Sequence, residues 1–296
     1  RTLNERLGAQ VWLKAEGFQR GGAFKFRGAY NAISRLPEEA LRTGVAAFSS
    51  GNHAQAVAIS ARLMGTTAVI VMPEDTPAAK LDATAGYDAE IVTYDRYSGD
   101  REAIARKLAA ERGAELVPSY DHADIIAGQG TVGLELMRQC AEQGHTPDQV
   151  LIPCGGGGLS AGSAVAIRDI SPATTVHPVE PEGFDDTRRS LAAGERLSND
   201  ASARSICDAL QAGTPGAMTF PINRRLLGEG LVVSDEEVRE AMRFAFRHLK
   251  LVIEPGGAVA LAAVLAKKVP TRDKVTVVVL SGGNVDPEMF AAIQGA

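Results

Sequence analysis

Six short runs in this 296-residue chain are apolar at nearly every position instead of alternating. They are Val45-Ala46-Ala47-Phe48, Ala68-Val69-Ile70-Val71-Met72, Glu90-Ile91-Val92-Thr93, Val150-Leu151-Ile152-Pro153, Thr175-Val176-His177-Pro178-Val179 and Val275-Thr276-Val277-Val278-Val279-Leu280. An alternating strand keeps one face wet, whereas a uniformly apolar one is buried on both. Helical patterns such as Ala54 to Met64 and Arg101 to Arg112 separate them. This order predicts an α/β fold with parallel-rich sheets flanked by helices. A further helix is announced by a capping box, Ser234 with Glu237. Val238, Ala241, Met242, Ala245, Phe246 and Leu249 then recur at steps of three or four, which predicts one buried stripe.

Gly44 reads as a boundary, because the strand-helix-strand run from Val45 to about Tyr94 can form a small sheet of its own. A second strand series opens at Val150, so two α/β lobes are expected, and 45% hydrophobic residues suffice to fill both. Ligands of such sheets bind where strand ends meet helix starts. With 36 acidic and 31 basic residues, the net charge of −5 argues against a nucleic-acid or anionic-membrane partner. No run approaches the ~18 apolar residues of a membrane helix. Cys140, Cys154 and Cys207 are far apart and follow no paired or zinc-binding pattern, which fits a reducing cytoplasm. The chain opens at Arg1-Thr2-Leu3-Asn4, close to a strand at Val11-Trp12-Leu13-Lys14, and the expectation is that a segment precedes it.

Three strand ends lead into turns that are more than connectors. Ser49-Ser50-Gly51-Asn52-His53 offers hydroxyls, an amide and helix N-terminal N–H groups to a small anion such as a carboxylate, although these residues also serve as ordinary caps. Cys154-Gly155-Gly156-Gly157-Gly158-Leu159-Ser160 leaves its backbone N–H groups unobstructed ahead of a helix, as a phosphate cradle requires. It is neither a P-loop, since no Lys-Ser/Thr follows, nor a spaced dinucleotide fingerprint. Leu280-Ser281-Gly282-Gly283-Asn284 closes the last strand with a hydroxyl. To these the chain adds Phe24-Lys25-Phe26, where two aromatic side chains stand ready to shield a lysine and so favour its nucleophilic, neutral amine. A lysine, a carboxylate loop and a phosphate loop together suit pyridoxal 5′-phosphate, which carries an aldehyde and a phosphate on one ring.

Phe24-Lys25-Phe26-Arg27-Gly28-Ala29, Ser49-Ser50-Gly51-Asn52-His53, Ala127-Gly128-Gln129-Gly130-Thr131, Gly155 to Gly158, Ile253-Glu254-Pro255-Gly256-Gly257-Ala258 and Ser281-Gly282-Gly283-Asn284 follow one another in this order. In that order they resemble the fold-type II pyridoxal-phosphate enzymes, in the serine/threonine dehydratase (threonine ammonia-lyase) and serine racemase group, over essentially the whole chain. The resemblance implies a two-lobed, tryptophan synthase β-like architecture with the cofactor in the interlobe cleft. It implies a large cofactor-binding domain, 1–43 with 122–296, and a small mobile domain, 44–121. It also implies a homodimer engaged in amino-acid catabolism, taking a small amino acid as substrate.

By the same resemblance, Lys25 carries the cofactor through a Schiff base and moves the substrate proton. Phe24 packs by the ring, Asn52 bonds its 3′-oxygen, and Ser281 meets its nitrogen. Gly155, Gly156, Gly157 and Gly158 with the Leu159 N–H take the phosphate, and Glu254 joins the cofactor contacts. Ser49, Ser50, Gly51, Asn52 and His53 hold the substrate carboxylate, with Arg101 close by. Ser50 stands where serine racemases keep a second catalytic base. Glu180, the Phe184 carbonyl and Asp186 match the spacing at which racemase-like members bind a divalent cation (Mg²⁺, Ca²⁺ or Mn²⁺), and hard cations take such oxygen ligands. Ser205-Ile206-Cys207-Asp208-Ala209 departs from the family pattern, which leaves the side-chain preference open.

A serine at the ring nitrogen, unlike an aspartate, does not force its protonation, so elimination of a β-hydroxyl suits this site better than transamination. The expected reaction converts L-threonine or L-serine to a 2-keto acid and ammonia. Serine racemization with side elimination, and dehydration of 3-hydroxyaspartate or another β-hydroxy amino acid, are the alternatives. A cysteine-synthase-like replacement enzyme, a non-catalytic phosphate-ligand binder and a nicotinamide oxidoreductase fit the loops less well.

Overall fold

In the computed structural model, residues 2–76, 78–95 and 98–295 are described. Nine strands form among them: β1 (Gln10–Ala15), β2 (Val45–Phe48), β3 (Ala68–Pro73), β4 (Glu90–Tyr94), β5 (Glu115–Leu116), β6 (Gln149–Pro153), β7 (Thr175–Pro181), β8 (Leu231–Val233) and β9 (Val275–Leu280). They make two parallel sheets, ordered β1-β9-β6-β7-β8 and β4-β3-β2-β5. Each belongs to its own compact unit. One comprises the chain through Phe18 together with everything from Gln129 on; the other is Gln19–Gly128.

The uniformly apolar runs are the buried strands. Every residue of β3 and β6 is inaccessible, and in β9 only Val275 is partly open. In the Gln19–Gly128 unit, Val45, Ala47, Ile70 and Met72 pack with Ile33, Val57 and Ile125 from the flanking helices. In the other unit, Leu151, Val179, Val278 and Leu280 pack with Met242 and with Val259 and Leu261 of the helix Pro255–Leu265. That helix is apolar on all sides, as a helix enclosed by its own domain must be. Gly44 ends the helix Glu38–Thr43 at φ +98°, where a Cβ would collide with the Thr67 hydroxyl.

The capping box forms as expected: the Ser234 hydroxyl accepts from Glu237 N at 3.2 Å and the Glu237 carboxylate accepts from Ser234 N at 2.8 Å. The predicted stripe needs one correction. Val238, Ala241, Met242 and Ala245 are buried, but Phe246 is 44% exposed and Phe244 is buried in its stead. Residues Ala245–Leu249 form a wider π-type turn, which rotates the face by the extra residue it accommodates. Among the described residues no helix is long and apolar enough to cross a membrane.

Candidate active site

In the Gln19–Gly128 unit the candidate nucleophile opens a helix. Lys25 is the first residue of Lys25–Ser34, half-buried, with its Nζ donating to the Ser119 carbonyl at 2.7 Å. The Phe24 ring centroid lies 5.3 Å from that Nζ, while Phe26 pairs with Tyr30 one turn on, at 5.4 Å between rings. The helix packs against Asn52–Leu63, which starts directly behind the Ser49–Gly51 turn at the end of β2. The Ser49 hydroxyl accepts from Gly51 N at 3.2 Å and shapes that turn, and Ser50 beside it is half-buried. N–H groups of a helix's first turn have no intrahelical partner, so this one begins with donors for an anion.

The His53 ring takes no part in that surface. It is buried within the unit, and its Nε2 sits 2.9 Å from the Val117 carbonyl. Burial, followed by the nearby charge of Lys25, pushes its pKa down to about 3, so the imidazole is neutral at physiological pH. Arg101 is the first residue of Arg101–Arg112 and is exposed, its guanidinium 5.8 Å from the ring centroid of Phe48, the residue preceding Ser49. A cation at a helix N-terminus faces the unfavourable end of the dipole. Asp100 caps that terminus, its carboxylate accepting from Glu102 N at 3.0 Å and from Ala103 N at 3.1 Å.

The other unit holds the glycine turn at the end of β6. Gly157 has φ +92°, and the helix Gly158–Ile170 begins immediately after it. A Cβ on Gly157 would stand 2.6 Å from Asn223 Nδ2 and 2.9 Å from Thr219 Oγ1. Thr219 donates to the Gly156 carbonyl at 2.7 Å and Asn223 Nδ2 to the Gly157 carbonyl at 3.4 Å, so their helix, Thr219–Leu226, braces the turn. These two residues were not expected from the sequence. Their signal was a pair of polar residues four apart on the face of a short helix that proves to be fully buried. Gly158 and Leu159 N–H, both without an intrahelical partner, complete a cradle that fits a phosphate. Ser281, buried, follows β9, and the adjacent Gly282 carbonyl accepts from Glu254 N at 3.2 Å. Gly257 permits this approach, since a Cβ there would collide with the Gly282 oxygen. Taken unit by unit, the residues present fit the chemistry of pyridoxal 5′-phosphate: this unit offers a cradle for a phosphate and a buried hydroxyl, and the other offers a half-buried lysine for an aldehyde.

Next to the glycine turn, Glu180 and Asp186 are both completely buried. Glu180 accepts from the N–H of Thr187 at 2.9 Å and of Arg188 at 2.8 Å. Asn199 Nδ2 donates to Asp186 Oδ1 at 2.6 Å, whereas Asp186 Oδ2 has no partner. Burial raises both carboxyls, Glu180 to about 8 with help from the Asp186 charge, and Asp186 to about 6. The Phe184 carbonyl, four residues after Glu180, accepts no hydrogen bond from the described residues. Two buried carboxylates and an open oxygen fit a hard cation. Among the described residues no three His, Cys, Asp or Glu side chains cluster as a metal site of their own. Cys154 beside them is buried, with its thiol pushed up to about 12, and is chemically inert.

Comparison with known proteins gives the family. Residues 1–282 match the family described as pyridoxal-phosphate dependent enzyme. The L-threo-3-hydroxyaspartate ammonia-lyase of Saccharomyces cerevisiae is 47% identical over 293 residues, covering 99% of this chain and 88% of the relative. The serine racemase of Schizosaccharomyces pombe is 42% identical over 290 residues, covering 98% and 88%. The crystal structure of the T.th. threonine deaminase superposes with a TM-score of 0.90 at 44% identity, covering 97% of this chain and 91% of that one.

Proposed function

Because the chain belongs to the pyridoxal-phosphate dependent enzymes, in their fold-type II ammonia-lyase, dehydratase and serine racemase group, we propose that it dehydrates and deaminates a β-hydroxy amino acid, with 3-hydroxyaspartate preferred over L-threonine and L-serine. When bound, pyridoxal 5′-phosphate draws electron density from the substrate's α-carbon. Lys25 anchors the cofactor and takes the α-proton. Phe24 packs against the ring, and Asn52 and Glu254 help to hold it. Ser281 offers the ring nitrogen a hydroxyl in place of a carboxylate, which favours loss of the β-hydroxyl over transamination. Gly155, Gly156, Gly157, Gly158 and the Leu159 N–H bind the phosphate. Ser49, Ser50, Gly51, Asn52 and the backbone of His53 hold the α-carboxylate. The β-hydroxyl departs with a proton as water, and the released enamine becomes an imine that a second water hydrolyses to 2-keto acid and ammonia.

The observation that carries the substrate preference is the exposed Arg101 guanidinium 5.8 Å from the ring centroid of Phe48, the residue that precedes the Ser49 loop. One substrate carboxylate occupies that loop, and a second, as in 3-hydroxyaspartate, gives the exposed guanidinium its anion. The name of the Saccharomyces cerevisiae relative supports the same reading. Charge-assisted hydrogen bonds contribute about 1.5–3 kcal/mol, so Arg101→Met should lower kcat/KM for L-threo-3-hydroxyaspartate about 10- to 100-fold. The same variant should change kcat/KM for L-serine by less than about threefold. Keto-acid release, with D-serine measured in the same mixtures, reads both values and the racemase alternative that Ser50 supports. Equal losses on the two substrates would remove the preference, and D-serine exceeding keto acid would make racemization the main activity.

A divalent cation held by Glu180, the Phe184 carbonyl and Asp186 is part of this proposal. Its support is the partnerless Asp186 Oδ2 among buried carboxylates. Mg²⁺ or Ca²⁺ at about 100 times its dissociation constant should stabilise the fold by about 2.7 kcal/mol. Asp186→Asn should blunt that gain. Thermal unfolding with and without chelator decides, and a chelator that alters neither stability nor rate rules the site out.

A further inference from the structure

The Lys25 ammonium and the His53 imidazole hang on the same short piece of backbone. Val117 N donates to the Ala46 carbonyl at 2.8 Å, which continues the pairing of β5 with β2. The Val117 carbonyl then meets His53 Nε2 at 2.9 Å, and two residues later the Ser119 carbonyl accepts from Lys25 Nζ at 2.7 Å. Pro118 lies between them, with a fixed φ and no N–H to compete. Val117–Ser119 is thus a bracket whose two oxygens face the first turns of the two packed helices.

The state of His53 follows from its partner. A carbonyl can only accept, so Nε2 carries the ring's proton and Nδ1 is bare. Nδ1 is buried and without a partner, a desolvation cost of about 1–3 kcal/mol that an apolar side chain of similar size would not incur. What the imidazole adds in return is the bond to Val117.

We infer that His53 is a positioning residue for Lys25: its Nε2–H fixes the Val117–Ser119 bracket so that the Ser119 carbonyl receives the lysine ammonium whenever that amine is not covalently engaged. This inference rests on the reading of Lys25 as the cofactor lysine. A hydrogen bond to the charged form favours it, so a well-placed Ser119 carbonyl raises the pH at which Lys25 gives up its proton. Loosening the bracket lowers that pH. His53 is neutral and Lys25 is the charged group that acts on it, so replacing His53 by a neutral residue changes the tether without changing local charge.

The test is reconstitution of the cofactor-stripped full chain with pyridoxal 5′-phosphate, following the rate of the imine absorbance from about pH 7 to about pH 11.5, a range that brackets the ordinary lysine pKa of about 10.4. The midpoint of that rate profile reports the Lys25 ammonium. His53→Leu should move it about one unit towards acid, a tenfold change in the ammonium's acidity. His53→Gln, whose amide reaches the same carbonyl, should restore it. An unmoved midpoint in a folded, imine-forming His53→Leu protein overturns the inference. If that variant does not fold, His53→Gln and His53→Asn decide, because the asparagine amide is one methylene too short; identical midpoints overturn the inference. An imine that persists in Lys25→Ala refutes the reading of Lys25 itself and is a separate failure.

Discussion

Lys25→Ala is expected to abolish the borohydride-sensitive imine absorbance and to lower keto-acid release at least about 10³-fold, since it removes both the cofactor's covalent anchor and the α-proton base. The fold should survive. The side chain is only half-buried, and its hydrogen bond to the Ser119 carbonyl is worth about 1.5–3 kcal/mol of interaction, partly recovered by water at that exposure. Circular dichroism and thermal unfolding, measured on the same preparation, separate lost chemistry from lost structure. Lys25→Arg sharpens the comparison. Arginine keeps a cation near Phe24 and Ser119 but forms no stable imine at neutral pH. It should match the parent in stability and the alanine variant in activity. Imine absorbance in either variant would move the anchor to another lysine and with it the whole site.

Much of this site is readable from residue order because its parts are local. A glycine block after a buried strand, a Ser-Ser-Gly-Asn turn before a helix and a lysine between aromatic residues each carry their chemistry within a few positions. The strands that the sequence shows best, such as Ala68–Pro73 and Val275–Leu280, are those buried on both faces. Glu115–Leu116 and Leu231–Val233 are too short to carry a pattern, and they exist because longer neighbours pair with them. Phe246 shows the limit of periodicity: the 3.6-residue rule fails when one turn widens, and nothing in Ala245–Leu249 announces that it will. The supports of the site were the least visible. Thr219 and Asn223 reach the glycine turn from more than sixty positions away. The Val117 and Ser119 acceptors are backbone oxygens, which no residue type advertises. Asn199 likewise lies thirteen positions from the aspartate that it orients.

Gly157→Ala tests whether the glycine block is a cradle or only a tight turn, because the four glycines are not equivalent. Gly157 alone among them has a positive φ, +92°, where an alanine costs about 1–2 kcal/mol. Its new Cβ would also displace Asn223 and Thr219, the side chains that fix the Gly156 and Gly157 carbonyls. The N–H groups that follow, at Gly158 and Leu159, would turn with them. Losing one charge-assisted bond to a phosphate weakens binding about 10- to 100-fold. Gly155→Ala is the control. Its Cβ would make a tight contact of 3.3 Å with the Leu210 Cα, relieved by a shift of a few tenths of an ångström, and its φ is not positive. Titration of each variant with pyridoxal 5′-phosphate should therefore show a large loss of affinity for Gly157→Ala and less than about threefold for Gly155→Ala, because no bond of that strength is lost there. Unfolding midpoints should fall by a few degrees in the first and by less in the second, at roughly 2–4 °C per kcal/mol for a chain of this size. A Gly157→Ala protein that loses stability while keeping its affinity would make the block a turn and place the phosphate elsewhere. Loss of affinity in excess of the strain identifies the backbone N–H groups behind Gly157 as the anion's donors, the one part of the site that no side-chain substitution reaches.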